Sequence, residues 1–396
     1  MSTSKVRPFT SDSDEDEDDL DFALEDYKCD KDIERKWDQV EKLLAAIPLS
    51  KHPMENEMSE LSLLVSKAAT PAQKVRILVF LIDTYFRTKD DIYHPMPVPT
   101  WGLCAKSIRE VILHLKENPN ILMSYDHNVI VNSAIETKKG SDYKGVIRVW
   151  GDLKLFVLRL YGDYLLSLAS IGHKSESYKA RLQDEDSLLE ITISTFIYYN
   201  DLKVHAKASK VALIGINLVY YRNEDCDIGL LSPRSFSLQD CCKWMVEFCN
   251  YVARYGESKD QARAEFFKLY HCAVTNNFLG VTNEVLVQNW IQMFEQKDDS
   301  TRVLCNRGLS QMGVYFFKGG LIEASHLCFL ELFGRGKVKL LLAQERDDPI
   351  DGIGTSYHMQ IDVEVLVSVF LLSALAIGVS TQRREISDEV NSSSDR

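Results

Sequence analysis

The sequence lacks the short motifs that usually mark a catalytic or metal centre. It contains no Gly-x-Ser-x-Gly turn, no His-x-x-x-His pair and no Cys-x-x-Cys pair. Gly334-Arg335-Gly336-Lys337 comes nearest to a phosphate-binding loop, but the four-residue spacer and the Ser or Thr after the lysine are missing. We therefore predict no catalytic residue, no metal site and no cofactor. A helical enzyme whose site is assembled from distant residues stays open as an alternative.

Net positive charge is also missing. The formal net charge is −12, and residues 11–26 carry ten acidic groups with no Lys or Arg, which leaves −12 + 10 = −2 for the rest. A nearly neutral body attracts nucleic acid only weakly at long range, so any RNA contact would depend on a local patch. The acidic run has nothing apolar to bury, and we predict a disordered tail over residues 1–30.

The chain has no pattern that would send it out of the cell. The nine cysteines are odd in number, and most lie in apolar helical surroundings, where a free Cys behaves as a small hydrophobe. The N-terminus has no basic region followed by an apolar stretch. We predict free thiols, no secretory signal and a cytoplasmic location.

Paired strand signals are absent, whereas apolar residues recur at helical spacing along most of the chain. Residues 145–151 alternate like a strand but have no neighbour to pair with, so we predict an extended lead-in to the next helix. Thr70-Pro71 reads as an N-cap followed by proline at the first helical position. The main helices are predicted at 101–115, 153–170, 187–199, 203–221, 238–255, 259–271, 283–294, 302–317 and 322–333.

This pattern predicts an all-α fold, a tetratricopeptide-like helical-repeat solenoid with a disordered acidic N-terminal tail. One helix pair can be described in detail. Gly313 and Ser325 would let two helices approach closely, Phe316 and Phe329 would fill the space between pairs, and residues 319–320 would make the turn.

The same patterns divide the chain into five regions. After the acidic tail (1–30) we predict an N-terminal helical region (31–137), a central helical domain (138–280), a C-terminal helical repeat region (281–380) and a disordered tail (381–396).

The segment 363–379 is the one stretch that could be mistaken for a membrane span. It contains Glu364 and two serines, and its 17 residues are at or below the length that crosses a hydrocarbon core. We predict a buried helix and no membrane partner.

Surface residues of two kinds could serve partners. Ser11 and Ser13 each have Asp three residues on, which predicts phosphorylation by an acid-directed kinase. Local basic groups are candidate RNA or ribosome contacts, with an ordinary solvated face as the alternative. These groups are Lys203, Lys207 and Lys210, which repeat at i, i+4 and i+7, and Arg335, Lys337 and Lys339 at a turn.

An ordered set of stretches over roughly residues 60–377 resembles one family. The stretches are Ala69-Thr70-Pro71-Ala72-Gln73-Lys74, Asp142-Tyr143-Lys144-Gly145, Ile147-Arg148-Val149-Trp150-Gly151, Tyr178 to Asp184 with Arg181-Leu182 before an acidic turn, the helix ending in Tyr220-Tyr221, Asn306-Arg307, Ser325-His326, Leu341-Leu342-Ala343-Gln344 and Tyr357-His358-Met359. With this order and spacing the chain resembles the C subunit of eukaryotic translation initiation factor 3, most closely its plant-type members.

The resemblance implies a structural subunit that scaffolds the factor and supports recruitment of the small ribosomal subunit. It implies other subunits of the factor, other initiation factors and the small ribosomal subunit as partners, with a contact to mRNA or rRNA. The long N-terminal region and the winged-helix half of the proteasome–signalosome–initiation-factor (PCI) domain are missing, and 283–294 diverges. We therefore expect a shortened or divergent paralogue. The alternative is a scaffold subunit of a related PCI assembly, such as the proteasome lid or signalosome, or a free adaptor.

Overall fold

A computed structural model provides the structure of the protein. It describes residues 30–47, 55–89, 91, 94–125, 134–223, 235–276, 298–334, 338–344 and 356–394, the side chains of 340 and 384–394 excepted. Within these ranges the helices are α1 Lys31–Ala46, α2 Glu55–Lys67, α3 Pro71–Phe86, α4 Val98–Glu117, α5 Leu153–Ser170, α6 Glu176–Asp201, α7 His205–Val219, α8 Leu238–Tyr255, α9 Ser258–Val274, α10 Asp299–Lys318, α11 Ile322–Gly334, α12 Val338–Leu341 and α13 Val363–Ser394.

The predicted all-α helical-repeat class is confirmed by this series of helices. The acidic tail up to residue 29 and the helix predicted at 283–294 lie outside the described residues. The chain divides into two compact units, one made of Met1–Thr88 and Ser107–Asp152 and the other of Lys89–Lys106 and Leu153–Arg396.

The first unit contains two short strands, β1 (Ile121–Ser124) and β2 (Ile147–Trp150), which pair in parallel. The prediction of an unpaired lead-in at 145–151 is therefore wrong. Ile121 lies opposite Ile147, so the pairing joins positions far apart in sequence, and the four residues of β1 are too few to show a period. Gly151 ends β2 with φ +148, a conformation that L side chains rarely adopt.

Helix α3 forms the centre of the first unit, and most of its residues are buried. Thr70 caps it by accepting a hydrogen bond from the Gln73 backbone N–H at 3.1 Å, and proline follows at the first helical position, which confirms the predicted N-cap. Buried Gln73 donates from Nε2 to the Trp37 carbonyl at 3.2 Å. The Thr70 hydroxyl donates to the Thr137 carbonyl at 2.6 Å, so the cap residue also fixes a distant loop.

Helices of the second unit pack largely in chain order, α6 on α7, α7 on α8, α8 on α9, α9 on α10, α10 on α11 and α11 on α13. The predicted α10–α11 pair is confirmed. The Ser325 hydroxyl donates to the Gly313 carbonyl at 2.8 Å, and a Cβ added to Gly313 would lie 2.7 Å from the Phe329 ring. Gly320 makes the turn with φ +78.

The acidic turn predicted after Arg181-Leu182 is wrong, because these residues lie inside the 26-residue helix α6. Its acidic groups are neutralised. Asp184 accepts from Arg181 Nη1 at 2.7 Å, one turn away, and Arg222 reaches Glu185 and Asp186 from beyond α7. The second of these pairings is distant in sequence, so a local pattern gives no sign of it.

Helix α13 corrects the prediction of a buried helix at 363–379. Leu366 and Ser373 are buried against α10 and α11, but Leu371, Leu372 and Leu375 are 60%, 51% and 64% exposed. In the described part of the chain Tyr357–Arg383 is long and apolar enough, by length and composition, to cross a membrane, and 17% of its apolar stretch is buried. Apolar periodicity indicates that one face of a helix is hydrophobic, but it does not indicate whether a neighbouring element covers that face.

Candidate functional site

Residues that carry the family resemblance in the second unit meet at one buried place. They hold the segment 356–362, which contains a 3₁₀ turn at Tyr357–Met359 and leads into α13. We call this stretch the anchor segment and the side chains that hold it the anchor cluster. The cluster consists of Tyr178, Glu185, Tyr220, Tyr221, Arg222 and Arg307.

Arg307 of α10 holds the backbone of the anchor segment. Its Nη2 donates to the Met359 carbonyl at 2.6 Å and to the Tyr220 hydroxyl at 3.4 Å, and its guanidinium lies 5.4 Å from the Tyr270 ring centre. Burial alone would lower the pKa of Arg307, but the nearby Tyr220 and Tyr270 outweigh it and raise that pKa. The guanidinium therefore stays charged inside the protein, where it contacts a backbone carbonyl and two tyrosine side chains.

Tyr178 of α6 holds the side chain of the same segment. Its hydroxyl lies 2.9 Å from His358 Nδ1 and accepts a hydrogen bond from the His358 backbone N–H at 3.3 Å. Burial is the main cause that raises the pKa of Tyr178 to about 12, so the phenol stays protonated. The Tyr221 ring meets the His358 ring edge-on at 5.1 Å, and the Tyr220 hydroxyl lies 3.9 Å from the Met359 sulfur.

Glu185 and Arg222 form the charged part of the cluster. Arg222 Nη2 donates to Glu185 at 3.1 Å, its Nη1 lies 3.0 Å from Asp186, and the Tyr221 hydroxyl lies 2.7 Å from both Glu185 oxygens. Burial alone would lower the pKa of Arg222, but Glu185 leads the groups that raise it well above its usual value. Such buried pairs add little net stability, yet removing one partner is strongly destabilising. The cluster therefore holds the anchor segment in place.

Burial protects the thiols of Cys242, Cys249 and Cys328 instead of activating them. Cys242 Sγ lies 3.3 Å from His271 Nε2, but burial raises the pKa of Cys242 and lowers that of His271, so both groups are neutral. A cysteine nucleophile needs the opposite, a thiolate beside an imidazolium. Burial also raises the pKa of Cys249 and of Cys328 to about 12. No group of three or more His, Cys, Asp or Glu able to hold a metal occurs in the part of the chain described here.

The predicted lysine row at the start of α7 is only partly available to a partner. Lys210 Nζ lies 2.7 Å from Asp260 and 3.0 Å from Glu257; burial alone would lower its pKa, but these hydrogen bonds raise it. Lys207 lies over the Tyr199 ring at 5.6 Å, and Lys203 is exposed with φ 58. Lys203 and Lys207 thus lie near the start of α7, and their contact with RNA or the ribosome stays a prediction.

Only one of the remaining predicted contact residues lies within the described part of the chain. Lys339 is exposed on the short helix α12. Ser11, Ser13, Arg335 and Lys337 lie outside the described residues, so phosphorylation and the second basic group stay predictions.

An aromatic group beside Lys203 and Lys207 is absent from the sequence-based prediction. The His205 ring stacks on the Tyr255 ring at 4.0 Å, and Arg254 lies 5.8 Å from the same ring. We call Lys203, His205, Lys207, Arg254 and Tyr255 the basic–aromatic patch. Tyr251 and Tyr255, one turn apart on α8, are the signal that could have indicated it, but aromatic residues at helical spacing usually indicate core.

The helix pairs stack in chain order and are held together by buried polar groups. This arrangement defines an all-α helical-repeat protein. The family model described as "Eukaryotic translation initiation factor 3 subunit 8 N-terminus" matches residues 11–382. The chain therefore belongs to this family, the N-terminal part of a subunit of eukaryotic translation initiation factor 3, and the predicted resemblance is confirmed.

Individual relatives agree with the family match. The chain is similar to the C subunit of eukaryotic translation initiation factor 3 from Dictyostelium discoideum, with 26% identity over 76% of this chain and 32% of the relative. The Schizosaccharomyces pombe protein of the same name is 24% identical over 85% of this chain and 40% of the relative, and the Drosophila melanogaster protein 23% over 78% and 34%. The chain thus spans between 32% and 40% of the length of these relatives.

Proposed function

We propose that this chain is a structural, non-enzymatic subunit of eukaryotic translation initiation factor 3 that acts in translation initiation by scaffolding. The family match over residues 11–382 carries the proposal. The proposed partners are sister subunits of the factor, other initiation factors and the small ribosomal subunit, and the proposed location is the cytoplasm. The predicted regions 1–30, 31–137, 138–280 and 281–380 remain part of this proposal. The disordered tail predicted at 381–396 does not, because α13 continues to Ser394.

The anchor cluster supports a scaffolding role. It ties α6, the end of α7 and α10 to the anchor segment, so the order and spacing of the outward helix faces are fixed. A scaffold needs fixed surfaces more than it needs reactive groups, and burial raises the pKa values of the thiols of Cys242, Cys249 and Cys328.

The basic–aromatic patch is the proposed contact to mRNA, rRNA or the ribosome. Lysine side chains neutralise phosphates, and an exposed aromatic ring offers a stacking surface to an unpaired base. Tyr255 is 38% exposed, and exposed Lys203 lies in the turn between α6 and α7, two residues before His205. Lys339 with Arg335 and Lys337 is the second proposed contact, and phosphorylated Ser11 and Ser13 would add negative charge to the tail.

Affinity purification of the tagged chain from cell lysate, followed by mass spectrometry, tests the proposal. We expect sister subunits of initiation factor 3 together with small-subunit ribosomal proteins. A version lacking residues 1–30 tests the acidic tail in the same experiment. Recovery of proteasome-lid or signalosome subunits, without initiation-factor subunits, would contradict the proposal.

The patch is tested separately with Lys203→Glu combined with Lys207→Glu. We expect this variant to keep the sister subunits and to lose RNA or ribosomal proteins, with a loss that grows as salt is lowered because phosphate contacts are salt-dependent. Glu replacement of Lys179, which is exposed and pairs with Glu176 on α6, is the matched control. Equal losses in both variants would remove the patch from the proposal.

A further inference from the structure

The small sheet of the first unit has an open outer edge at β2. The backbone N–H groups of Ile147 and Gly151 donate to carbonyls at the two ends of β1, at 2.8 and 3.0 Å, so the odd-numbered positions of β2 face β1. Backbone groups of alternate residues in a strand point to opposite sides. The N–H and C=O groups of Arg148 and Trp150 therefore point away from β1, where the described residues supply no third strand. We call this side the β2 edge.

The β2 edge is accessible and held in shape. Within the described residues, the backbones of Arg148 and Trp150 bond to no segment other than β1. The side chains of both residues are partly exposed, and Val146, just before the strand, is 51% exposed. The Asn120 side chain donates from Nδ2 at 2.9 Å to a carbonyl in the turn that leads into β2, which fixes that turn. An open strand edge of this kind is a template for a further strand.

Positive charge lies along the β2 edge. Arg148 in the strand and exposed Lys144 just before it form no ion pair in the part of the chain that the structure describes. The neighbouring Lys139 differs, because its Nζ lies 2.9 Å from Glu136. Two cations without carboxylates, placed beside outward backbone groups, are complementary to an extended segment that carries acidic side chains.

The same charges disfavour a second copy of this chain at the β2 edge. Two such edges paired about Arg148 would place like charges directly opposite each other, which is destabilising, and charged residues on edge strands commonly prevent this kind of pairing. A nucleic acid would meet the two cations, but it offers no series of donors and acceptors at strand spacing to the outward N–H and C=O groups. A peptide backbone offers both.

We propose that the β2 edge is a docking site for an extended acidic segment of a partner protein, which adds to the sheet as a third strand. Its acidic side chains would lie on the same face of the sheet as Arg148, and its apolar side chains would lie on the face of buried Ile147 and Val149. This inference goes beyond the proposed function, because it concerns one peptide site and holds for whichever assembly contains the chain.

Fluorescence anisotropy of the purified full chain with a labelled peptide of alternating Glu and Val tests the site. We expect saturable binding, and a peptide of alternating Lys and Val should bind at least about tenfold more weakly. Arg148→Glu should raise the dissociation constant of the Glu peptide at least about tenfold, because it replaces an attractive charge by a repulsive one. Arg35→Glu changes an exposed arginine on α1 of the same unit and should leave binding unchanged.

Two N-methylated peptides test the strand geometry without changing the protein. Every second residue of an added strand directs its backbone groups to β2, so methyl groups on the Glu nitrogens and on the Val nitrogens should differ in effect by at least about tenfold. The Glu version fails if the strand adds antiparallel, and the Val version fails if it adds parallel. Hydrogen exchange followed by NMR should also show that the peptide slows the amides of Arg148 and Trp150.

Several results would overturn the inference. They are a Glu peptide that does not bind, equal binding of the Lys peptide, equal effects of the two N-methylated versions, and binding that leaves the Arg148 and Trp150 amides unchanged. A short single-stranded RNA that binds in place of the peptide and is lost in Arg148→Glu would assign the cations to nucleic acid. A chain that recovers initiation-factor subunits from lysate but does not bind the peptide would contradict this inference and leave the proposed function intact.

Discussion

Helices α10 and α13 are both apolar, but their surroundings differ. Helix α10 packs against α9, α11 and α13, and its small residue Gly313 lies against the Phe329 ring. Among the described residues, helix α13 has neighbours on one side only, and none of them lies within 4 Å of the place where a Cβ would be on its Gly378. The same residue types therefore build a core in one helix and an outward surface in the other, according to which neighbours the chain supplies.

The largest expected effect is the loss of stability when a side chain that holds the anchor segment is removed. Arg307→Ala should lower the free energy of unfolding by about 4 kcal/mol, because it removes the buried donor of the Met359 carbonyl and leaves a cavity. Urea unfolding followed by circular dichroism measures this change. Arg302→Ala, an exposed arginine one turn earlier on α10, should change stability by less than about 0.5 kcal/mol. Equal changes in the free energy of unfolding for the two variants would show that the cluster does not hold the anchor segment.

The two faces of α13 provide the next test. Leu366→Ala on the packed face should destabilise the helix by about 3 kcal/mol, whereas Leu375→Ala on the open face should change monomer stability by less than about 0.5 kcal/mol. Hydrogen exchange of the α13 amides at low protein concentration measures both. A large effect of Leu375→Ala under those conditions would mean that another part of the chain covers the face.

The glycines give a matched pair. Gly313→Ala should destabilise the protein by about 2 kcal/mol, because the new methyl group would lie 2.7 Å from the Phe329 ring. Gly378→Ala should stabilise by about 0.5 kcal/mol, since alanine is the better helix former and the space is open. Thermal unfolding of the two variants should therefore move the midpoint in opposite directions, and shifts of the same sign would contradict the packing described for α10 and α11.

The smallest expected effect is a pH dependence at His271. Burial lowers the pKa of His271 from its usual 6.5, so the unfolded chain takes up this proton at a higher pH than the folded one. The stability it contributes is present above pH 6.5 and is lost as the pH falls towards the lowered pKa. Between about pH 7 and 5 the His271→Gln variant should lose less stability than the original chain, because it lacks this proton uptake. Identical slopes for the variant and the original chain would contradict the prediction.

Local signals are enough to predict many of the helices. The bounds predicted at 153–170 and 238–255 are those of α5 and α8, because strong apolar periods and end signals such as the Ser237 capping box act within a few residues. The all-α class and the α10–α11 pair follow from the same kind of information.

Features that join distant positions could not be predicted in this way. The β1–β2 pairing, the Arg222 contacts with α6 and the Arg307 contact with Met359 each connect separate segments. Tyr178, Tyr220, Tyr221 and Arg307 of the anchor cluster lie in the stretches that carry the resemblance, whereas Glu185 and Arg222 do not, and the sequence does not state that these residues meet. The basic–aromatic patch needs α7 and α8 side by side before His205 can stack on Tyr255.

The anchoring of the segment before α13 has a mechanical consequence. A 32-residue helix is about 48 Å long, and α13 is held at its base by bonds to Met359 and His358. Force applied to the far end of such a lever arm produces torque at the base, where Tyr178 and Arg307 connect it to α6 and α10. A partner protein bound at the far end of α13 would therefore move together with α6 and α10 and not independently of them.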